Sequence, residues 1–137
     1  MNSSMIINSE FSSAHFYNQK KWDEQKNNKT FGACYTEYGH GHNYKLKVKI
    51  EIPKNKSEPE WIKNCQNSIS SITRELDHQH LNFVIPEFKE VIPTTENISL
   101  YLKNKILQSP LAKHVISFRL YEMDDIWTQV QIKNPSE

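Results

Sequence analysis

Hydrophobic and polar residues alternate most regularly between His40 and Ile52. Apolar side chains occupy every second position from Tyr44 onward, and lysines fill most of the positions between them. Because successive side chains of a β-strand point to opposite faces, this period of two predicts a strand with one buried and one solvated face. A sheet that is solvated on one side is typical of antiparallel pairing.

Other apolar residues predict three more strands and two helices. Weaker alternation indicates strands over residues 5–15, 115–122 and 126–132. Apolar residues three and four positions apart indicate a first helix, and Ser57 with Glu60 resembles a capping box at its start. The apolar stripe of this helix consists of Ile62, Cys65, Ile69, Ile72 and Leu76.

The second predicted helix begins at Thr94 and Thr95 and ends before Pro110. The resulting order, β-β-α-α-β-β, predicts an α+β fold in which an antiparallel four-stranded sheet carries two helices on one face. The polar stretches 18–29 and 53–59 are predicted to be surface loops. A chain of 137 residues suffices for one domain, so we expect a single domain over residues 1–137.

Composition narrows the class of protein. Lys and Arg number 17 against 16 Asp and Glu, a net charge of +1, so no basic field indicates a nucleic-acid partner. No apolar run approaches the roughly 20 residues that span a bilayer. Residues 1–10 lack the basic and apolar regions of a secretion signal, and two cysteines are too few for a disulfide scaffold. We therefore expect a cytoplasmic protein with reduced thiols and no membrane partner.

His40 and His42 are the first residues that suggest chemistry. Two positions apart on a strand, both imidazoles lie on one side and can chelate one cation. Zinc binds neutral histidine nitrogens, and a catalytic zinc site has three protein ligands and an open position. His15, at the end of the first predicted strand, is the natural third ligand. The alternative is that the pair is an ordinary solvated turn at the start of a strand.

Cys34 precedes the histidine pair by six residues, in a window that also holds every glycine of the chain: Gly32, Gly39 and Gly41. A thiol near a metal and histidines can become a thiolate that serves as ligand or general base. Alternatively, Cys34 is an inert small apolar residue. Cys65 lies on the apolar stripe of the first helix and is predicted to be core.

Three polar groups elsewhere have both a chemical and a structural interpretation. Asp77 can orient the neighbouring His78, although a histidine after a helix also interacts favourably with the helix dipole. Glu122 shares the apolar face of its strand, where a carboxylate needs a partner or a function. The segment Thr94, Thr95 and Glu96 opens the second helix, where capping alone can explain it.

Several motifs occur in an order that matches a known family. The motifs are Phe11–His15, Phe31–Cys34, His40–Tyr44, Leu76–His78, Pro93–Asn97 and Tyr121–Glu122. Together they cover about residues 5 to 130 and resemble the 6-pyruvoyl-tetrahydropterin synthase family. That family includes the bacterial 6-carboxytetrahydropterin synthases of the queuosine route.

The resemblance implies the tunnelling fold (T-fold), in which sheets of several subunits close into a barrel, commonly as a homohexamer built from two trimers. It implies Zn²⁺ on His15, His40 and His42, and a catalytic thiol at Cys34. Asp77, His78 and Glu122 match the proton-relay positions of the family.

The resemblance also implies the substrate. Thr94, Thr95 and Glu96 match the segment that grips the pterin, and the family substrate is 7,8-dihydroneopterin triphosphate. The product stays open between 6-pyruvoyl-tetrahydropterin and 6-carboxytetrahydropterin. Five residues separate Cys34 from His40, as in the pyruvoyl-type enzymes, whereas the queuosine enzymes usually have three.

Two other functions compete with a zinc-dependent lyase. One is a non-catalytic pterin-binding or structural zinc domain of the same fold, and the other is a different T-fold enzyme such as an aldolase or a cyclohydrolase. The presence of Cys34 favours the lyase over the binding domain, which needs no thiol there. The three-histidine pattern argues against an aldolase.

Overall fold

The fold is built around the alternating strand that the sequence predicts. A computed structural model of the chain describes residues 2–17, 22–31, 39–55 and 58–135. In chain order the described strands are β1 (Ser3–His15), β2 (His40–Ile52), β3 (Gln79–His80), β4 (Val115–Met123) and β5 (Ile126–Gln131). The apolar side chains of β2 from Tyr44 to Ile50 are completely buried, whereas Lys45 and Lys47 on its other face are exposed.

Four antiparallel strands form most of the sheet. β1 pairs with β2 along its whole length, so that Phe11 lies opposite Tyr44 and His15 opposite His40. β4 pairs with the other edge of β2, and β5 pairs with β4. These strands confirm the predicted antiparallel arrangement.

β3 is a short fifth strand that the sequence analysis does not predict. It pairs in parallel with β1 at Ser13 and Ala14, which gives the strand order β3-β1-β2-β4-β5. Two residues are too few to show an alternating pattern, so only the tertiary contact with β1 reveals this strand.

The described helices are α1 (Glu24–Phe31), α2 (Pro59–Arg74), α3 (Leu81–Val84) and α4 (Thr95–Leu107), with a 3₁₀ turn at Pro86–Lys89. The two predicted helices correspond to α2, which packs on β1, and α4, which packs on β4 and β5. Both contribute to one apolar core, in which Cys65 is buried as predicted.

The helix starts differ in how they are capped. Thr94 caps α4 as the sequence predicts, since its hydroxyl accepts a hydrogen bond from the Asn97 N–H at 3.1 Å. The N-cap of α2 is Glu58, whose side chain makes no capping hydrogen bond. The predicted capping box is therefore wrong in position, and its Ser57 lies outside the described residues.

The predicted surface loop over residues 18–29 is wrong for residues 24–29, which belong to α1. An Asp23 carboxylate oxygen accepts a hydrogen bond from the Lys26 N–H at 2.8 Å. The rings of Trp22 and Phe31 stack at 5.6 Å across the ends of the helix. Because these two large apolar residues stand at the ends of α1, the helix has no apolar stripe by which the sequence could predict it. No helix among the described residues is long and apolar enough to cross a membrane.

Candidate active site

The strand register brings the three predicted histidine ligands together. His15 ends β1, His40 and His42 begin β2, and the Nε2 atoms of His15 and His40 lie 3.1 Å apart. Glu122, near the end of β4, places Oε1 2.8 Å from His42 Nε2 and 3.8 Å from His15 Nε2. The ligand atoms of all four residues lie within 4.8 Å of one another.

This cluster fits a metal ion. A tetrahedral zinc with bonds of about 2.0–2.1 Å to nitrogen holds neighbouring ligand nitrogens roughly 3.3–3.4 Å apart, close to the separation of His15 and His40. Among the described residues, the buried atoms His40 Nδ1 and His42 Nε2 have no hydrogen-bond partner. The 2.8 Å contact of His42 Nε2 with Glu122 therefore lacks the alignment of a hydrogen bond. A cation between His42 and Glu122 would give the unpartnered Nε2 of His42 a partner and would balance the carboxylate charge.

The backbone carbonyl of Pro93 sets the tautomer of His15. Its Nδ1 lies 2.9 Å from the carbonyl oxygen of Pro93 and 3.1 Å from the hydroxyl oxygen of Tyr44. A carbonyl oxygen only accepts hydrogen bonds, so Nδ1 carries the hydrogen and donates it. Nε2 then presents its lone pair to the cluster, which is the arrangement in which a histidine binds a metal.

Burial favours the neutral forms of His15 and His40. The side chain of His15 is fully buried, and this burial lowers its pKa to about 4. The neighbouring His40 and His42 lower it further, whereas the Pro93 carbonyl and Glu122 act in the opposite direction. Burial, with His42 nearby, also lowers the pKa of His40. Neutral imidazoles at neutral pH are ready to bind a metal without first losing a proton.

Glu122 connects the cluster to the start of α4. Its carboxylate is only 12% exposed, as its place on the apolar face of β4 predicts. The hydroxyl of Thr95, the first residue of α4, donates a hydrogen bond of 2.5 Å to Oε2 of Glu122. The other oxygen, Oε1, faces His42.

Gly39 allows the chain to enter β2 beside His15. It has a φ of +81°, and a Cβ at this position would lie 2.3 Å from the carbonyl oxygen of His15. Only glycine tolerates both this conformation and this approach. A Cβ on Gly41 would lie at an ordinary distance of 3.6 Å from the carbonyl oxygen of Ser13.

Of the three predicted relay residues, Glu122 belongs to the four-residue cluster, whereas Asp77 and His78 lie outside it. His78 Nδ1 is 2.9 Å from a carboxylate oxygen of Asp77, and the His78 side chain is 82% exposed. The backbone of His78 has a left-handed φ of 58°, and its backbone N–H donates a hydrogen bond to the carbonyl oxygen of Ser12 at 2.6 Å. The Ser12 N–H in turn donates to Asp77 at 2.8 Å, and this bond, together with His78, lowers the pKa of Asp77. His78 and His42 line the same surface groove.

The segment predicted to grip the pterin has one exposed carboxylate. The hydroxyl groups of Thr94 and Thr95 are used by the α4 cap and by Glu122, respectively. Glu96 lies in the first turn of α4 and is exposed. The predicted thiol, Cys34, lies outside the described residues, so its role stays a prediction from the sequence.

Sequence reasoning assigned no role to Tyr44 or Pro93. Tyr44 is fully buried, and burial raises the pKa of its hydroxyl well above the ordinary value. Its position two residues after His42, on the same face of β2, is a signal that can place it near the cluster. The carbonyl of Pro93 has no such signal, because every residue has a carbonyl.

Comparison with known proteins identifies the family. The family model described as 6-pyruvoyl tetrahydropterin synthase matches residues 4–133. The chain belongs to this family. It is 30% identical over 122 residues to a 6-pyruvoyl tetrahydrobiopterin synthase of Poecilia reticulata, covering 83% of this chain and 80% of the relative. It is 33% identical over 119 residues to the human protein of that name, covering 84% and 81%.

Solved structures show the same architecture. A 6-pyruvoyl tetrahydropterin synthase of Caenorhabditis elegans matches with a TM-score of 0.85 and 25% identity over 94% of both chains. An uncharacterized protein of Wolinella succinogenes matches with a TM-score of 0.57 and 14% identity, covering 96% of this chain and 98% of that one, and shows the fold alone. These matches confirm the predicted resemblance and the predicted α+β T-fold.

Proposed function

We propose that this chain is a zinc-dependent pterin synthase, a lyase that acts on 7,8-dihydroneopterin triphosphate and eliminates triphosphate. The observation that carries the proposal is the cluster of three histidine nitrogens and one carboxylate within 4.8 Å. The family match and the names of the relatives support the pterin chemistry. Those names and the Cys34 to His40 spacing favour 6-pyruvoyl-tetrahydropterin over 6-carboxytetrahydropterin as the product.

His15, His40 and His42 are the residues that would hold the metal, at about one ion per chain. Histidine nitrogens in this number suit zinc at a catalytic site. When bound, zinc would act as a Lewis acid on the side-chain oxygens of the substrate and acidify the adjacent C–H groups. The Nδ1–H of His15, held by Pro93, keeps its Nε2 directed at that ion.

The protons would be moved by Cys34 and His78. The Cys34 thiolate takes a carbon-bound proton of the substrate side chain. His78 accepts or returns a proton at Nε2, because Asp77 holds its Nδ1. The electron pair released from the C–H bond moves within the substrate, and triphosphate leaves with the electrons of its C–O bond. The redox change is internal to the substrate, so neither an oxidant nor a reductant is needed.

Glu96 would anchor the pterin. An exposed carboxylate accepts two parallel hydrogen bonds from the amino group and the ring N–H of a pterin. Its place beside Thr95 puts this anchor one residue from the side chain that binds Glu122.

The active form would be a homo-oligomer, expected from the resemblance to be a hexamer of two trimers. β5 ends the described sheet, and its Ile126 and Trp127 are 47% and 44% exposed. An exposed apolar edge strand favours pairing with another chain.

The deciding experiment is turnover of 7,8-dihydroneopterin triphosphate by the zinc-loaded protein, with the products identified by mass. We expect the pyruvoyl pterin and free triphosphate. His42→Ala should lose most of its zinc and its turnover. His114→Ala, which removes a ring packed against Trp61, should keep both. Pterin binding without conversion by zinc-replete wild type would contradict the proposal and favour the non-catalytic binding domain.

A further inference from the structure

The two oxygens of the Glu122 carboxylate have different surroundings. Oε2 accepts the hydrogen bond of the Thr95 hydroxyl at 2.5 Å. Oε1 faces the Nε2 atoms of His42 and His15 at 2.8 and 3.8 Å. One oxygen is thus held by the protein, while the other points into the candidate metal centre.

Thr95 is well suited to hold this carboxylate in place. It is 4% exposed, and the preceding residue, Thr94, caps α4 and so fixes the backbone there. A β-branched side chain has few rotamers, so the hydroxyl direction is set by the helix start. The bond to a carboxylate is charge-assisted, which makes it stronger than a hydrogen bond between neutral groups.

Metal binding would change the partner of Oε1 but not that of Oε2. A metal bound to His42 Nε2 would lie beside Oε1 of Glu122, which is 2.8 Å from that nitrogen. A nearly buried carboxylate oxygen needs another positive partner, and zinc accepts carboxylate oxygens as well as histidine nitrogens. Hydrogen bonds to ligating carboxylates orient them, and these outer partners influence metal affinity.

We infer that Thr95 is a positioning residue for the metal centre. By holding Oε2, it presents Oε1 of Glu122 as a fourth ligand in the substrate-free protein, beside His15, His40 and His42. This inference rests on the metal centre of the proposed function and adds to it a fourth ligand and the residue that positions it.

A double-mutant cycle on metal affinity tests the inference without any turnover assay. The dissociation constant for Zn²⁺ is measured by chelator competition for the wild type, Thr95→Val, Glu122→Gln and the double variant. We expect Thr95→Val to weaken binding about tenfold, in the range typical of outer partners of metal ligands. In the Glu122→Gln background Thr95→Val should have almost no further effect, because the carboxylate ligand that Thr95 positions is then replaced by an amide.

Two further variants separate positioning from general stability. Thr95→Ser keeps a hydroxyl and should restore most of the affinity. Ser99→Ala is the matched control, since Ser99 is 2% exposed and lies one turn later on α4, with its hydroxyl 2.5 Å from that of Thr128. It should lower the stability of the metal-free protein and leave the Zn²⁺ dissociation constant unchanged. The visible spectrum of bound Co²⁺ should change in Thr95→Val and not in Ser99→Ala.

Specific results would overturn the inference. The first is a zinc affinity in Thr95→Val equal to that of the wild type. The second is that Thr95→Val weakens zinc binding as much in the Glu122→Gln background as it does alone. The third is that Ser99→Ala weakens zinc binding as much as Thr95→Val does. In each of these the metal centre of the proposed function stands. If the wild type itself binds no zinc, both the inference and the proposed metal centre fail. If Thr95→Val does not fold, Thr95→Ala takes its place in the cycle.

Discussion

The imidazole of His15 and the backbone carbonyl of Pro93 are 78 residues apart in the chain and 2.9 Å apart in space. This hydrogen bond fixes which nitrogen of His15 faces the other histidines. Pro93 lies just before α4, and the first residue of α4, Thr95, binds Glu122. The start of one helix therefore orients two of the four residues that form the candidate metal centre.

Tyr44 should contribute to metal affinity through His15. The Tyr44 ring stacks on Phe11 with the ring centroids 4.9 Å apart, and its hydroxyl oxygen lies 3.1 Å from His15 Nδ1. Tyr44→Phe keeps the ring and removes this oxygen. We expect the dissociation constant for Zn²⁺, measured by chelator competition, to rise by about tenfold. Tyr101→Phe is the matched control, because it removes a mostly buried hydroxyl that binds Glu75. Equal affinities in the two variants would show that Tyr44 does not act on the metal centre.

The metal-free protein should lose stability as the pH falls from about 6.5 to about 4. The pKa of His15 is about 4 in the folded chain, because burial opposes its charge, and near 6.5 when unfolded. Between these values the unfolded chain binds the extra proton, so acidification favours unfolding. The contribution of His15 to the free energy of unfolding is on the order of 3 kcal/mol at pH 7 and is lost near pH 4.

Urea unfolding at pH 7 and pH 4.5, with a chelator present, measures this effect. His15→Gln should reduce the difference in unfolding free energy between the two pH values. An unchanged pH dependence in His15→Gln would mean that other groups cause the acid destabilisation.

Gly39 and Gly41 should respond very differently to alanine. Gly39→Ala puts a Cβ 2.3 Å from the His15 carbonyl oxygen and forces a left-handed φ on a non-glycine residue. We expect a loss of about 2 kcal/mol or more in unfolding free energy, together with weaker zinc binding, since His15 and His40 must move apart. Gly41→Ala meets only an ordinary contact, so its unfolding free energy should stay within about 1 kcal/mol of wild type. Similar denaturant midpoints for the two variants would contradict this expectation.

The spacing of apolar residues and the capping residues along the chain predicted the elements that depend on short stretches of sequence. β2 followed from the alternation that buries one of its faces, and the start of α4 followed from the hydroxyl of Thr94. The loop prediction failed at α1 because its large apolar residues, Trp22 and Phe31, stand at its two ends and not at helical spacing. β3 was missed because its two residues form a strand only through pairing with β1.

The alternation of side chains along a strand was enough to predict the histidine part of the candidate site. His40 and His42 share a face because they are two positions apart on one strand, and His15 joins them through the β1–β2 register. The supporting contacts join residues that are far apart in the chain. Tyr44 reaches His15 across 29 positions, and Thr95 reaches Glu122 across 27. The first pair depends on how β1 pairs with β2 and the second on how α4 packs on the sheet, and no local pattern determines either contact.

Cys34 provides the test that separates catalysis from binding. If its thiolate removes the carbon-bound proton, Cys34→Ala should keep its zinc and its pterin affinity and lose turnover by about 10²–10⁴-fold, the usual contribution of a positioned general base. Glu96→Gln should mainly raise KM, because the pterin anchor acts in the ground state and the transition state alike. Cys65→Ala is the control, since it removes the other thiol, which lies 2% exposed in the core on α2, and should cost stability but not turnover. Steady-state rates on zinc-replete, correctly assembled variants measure these differences, and wild-type turnover in Cys34→Ala would assign the proton transfer to another group.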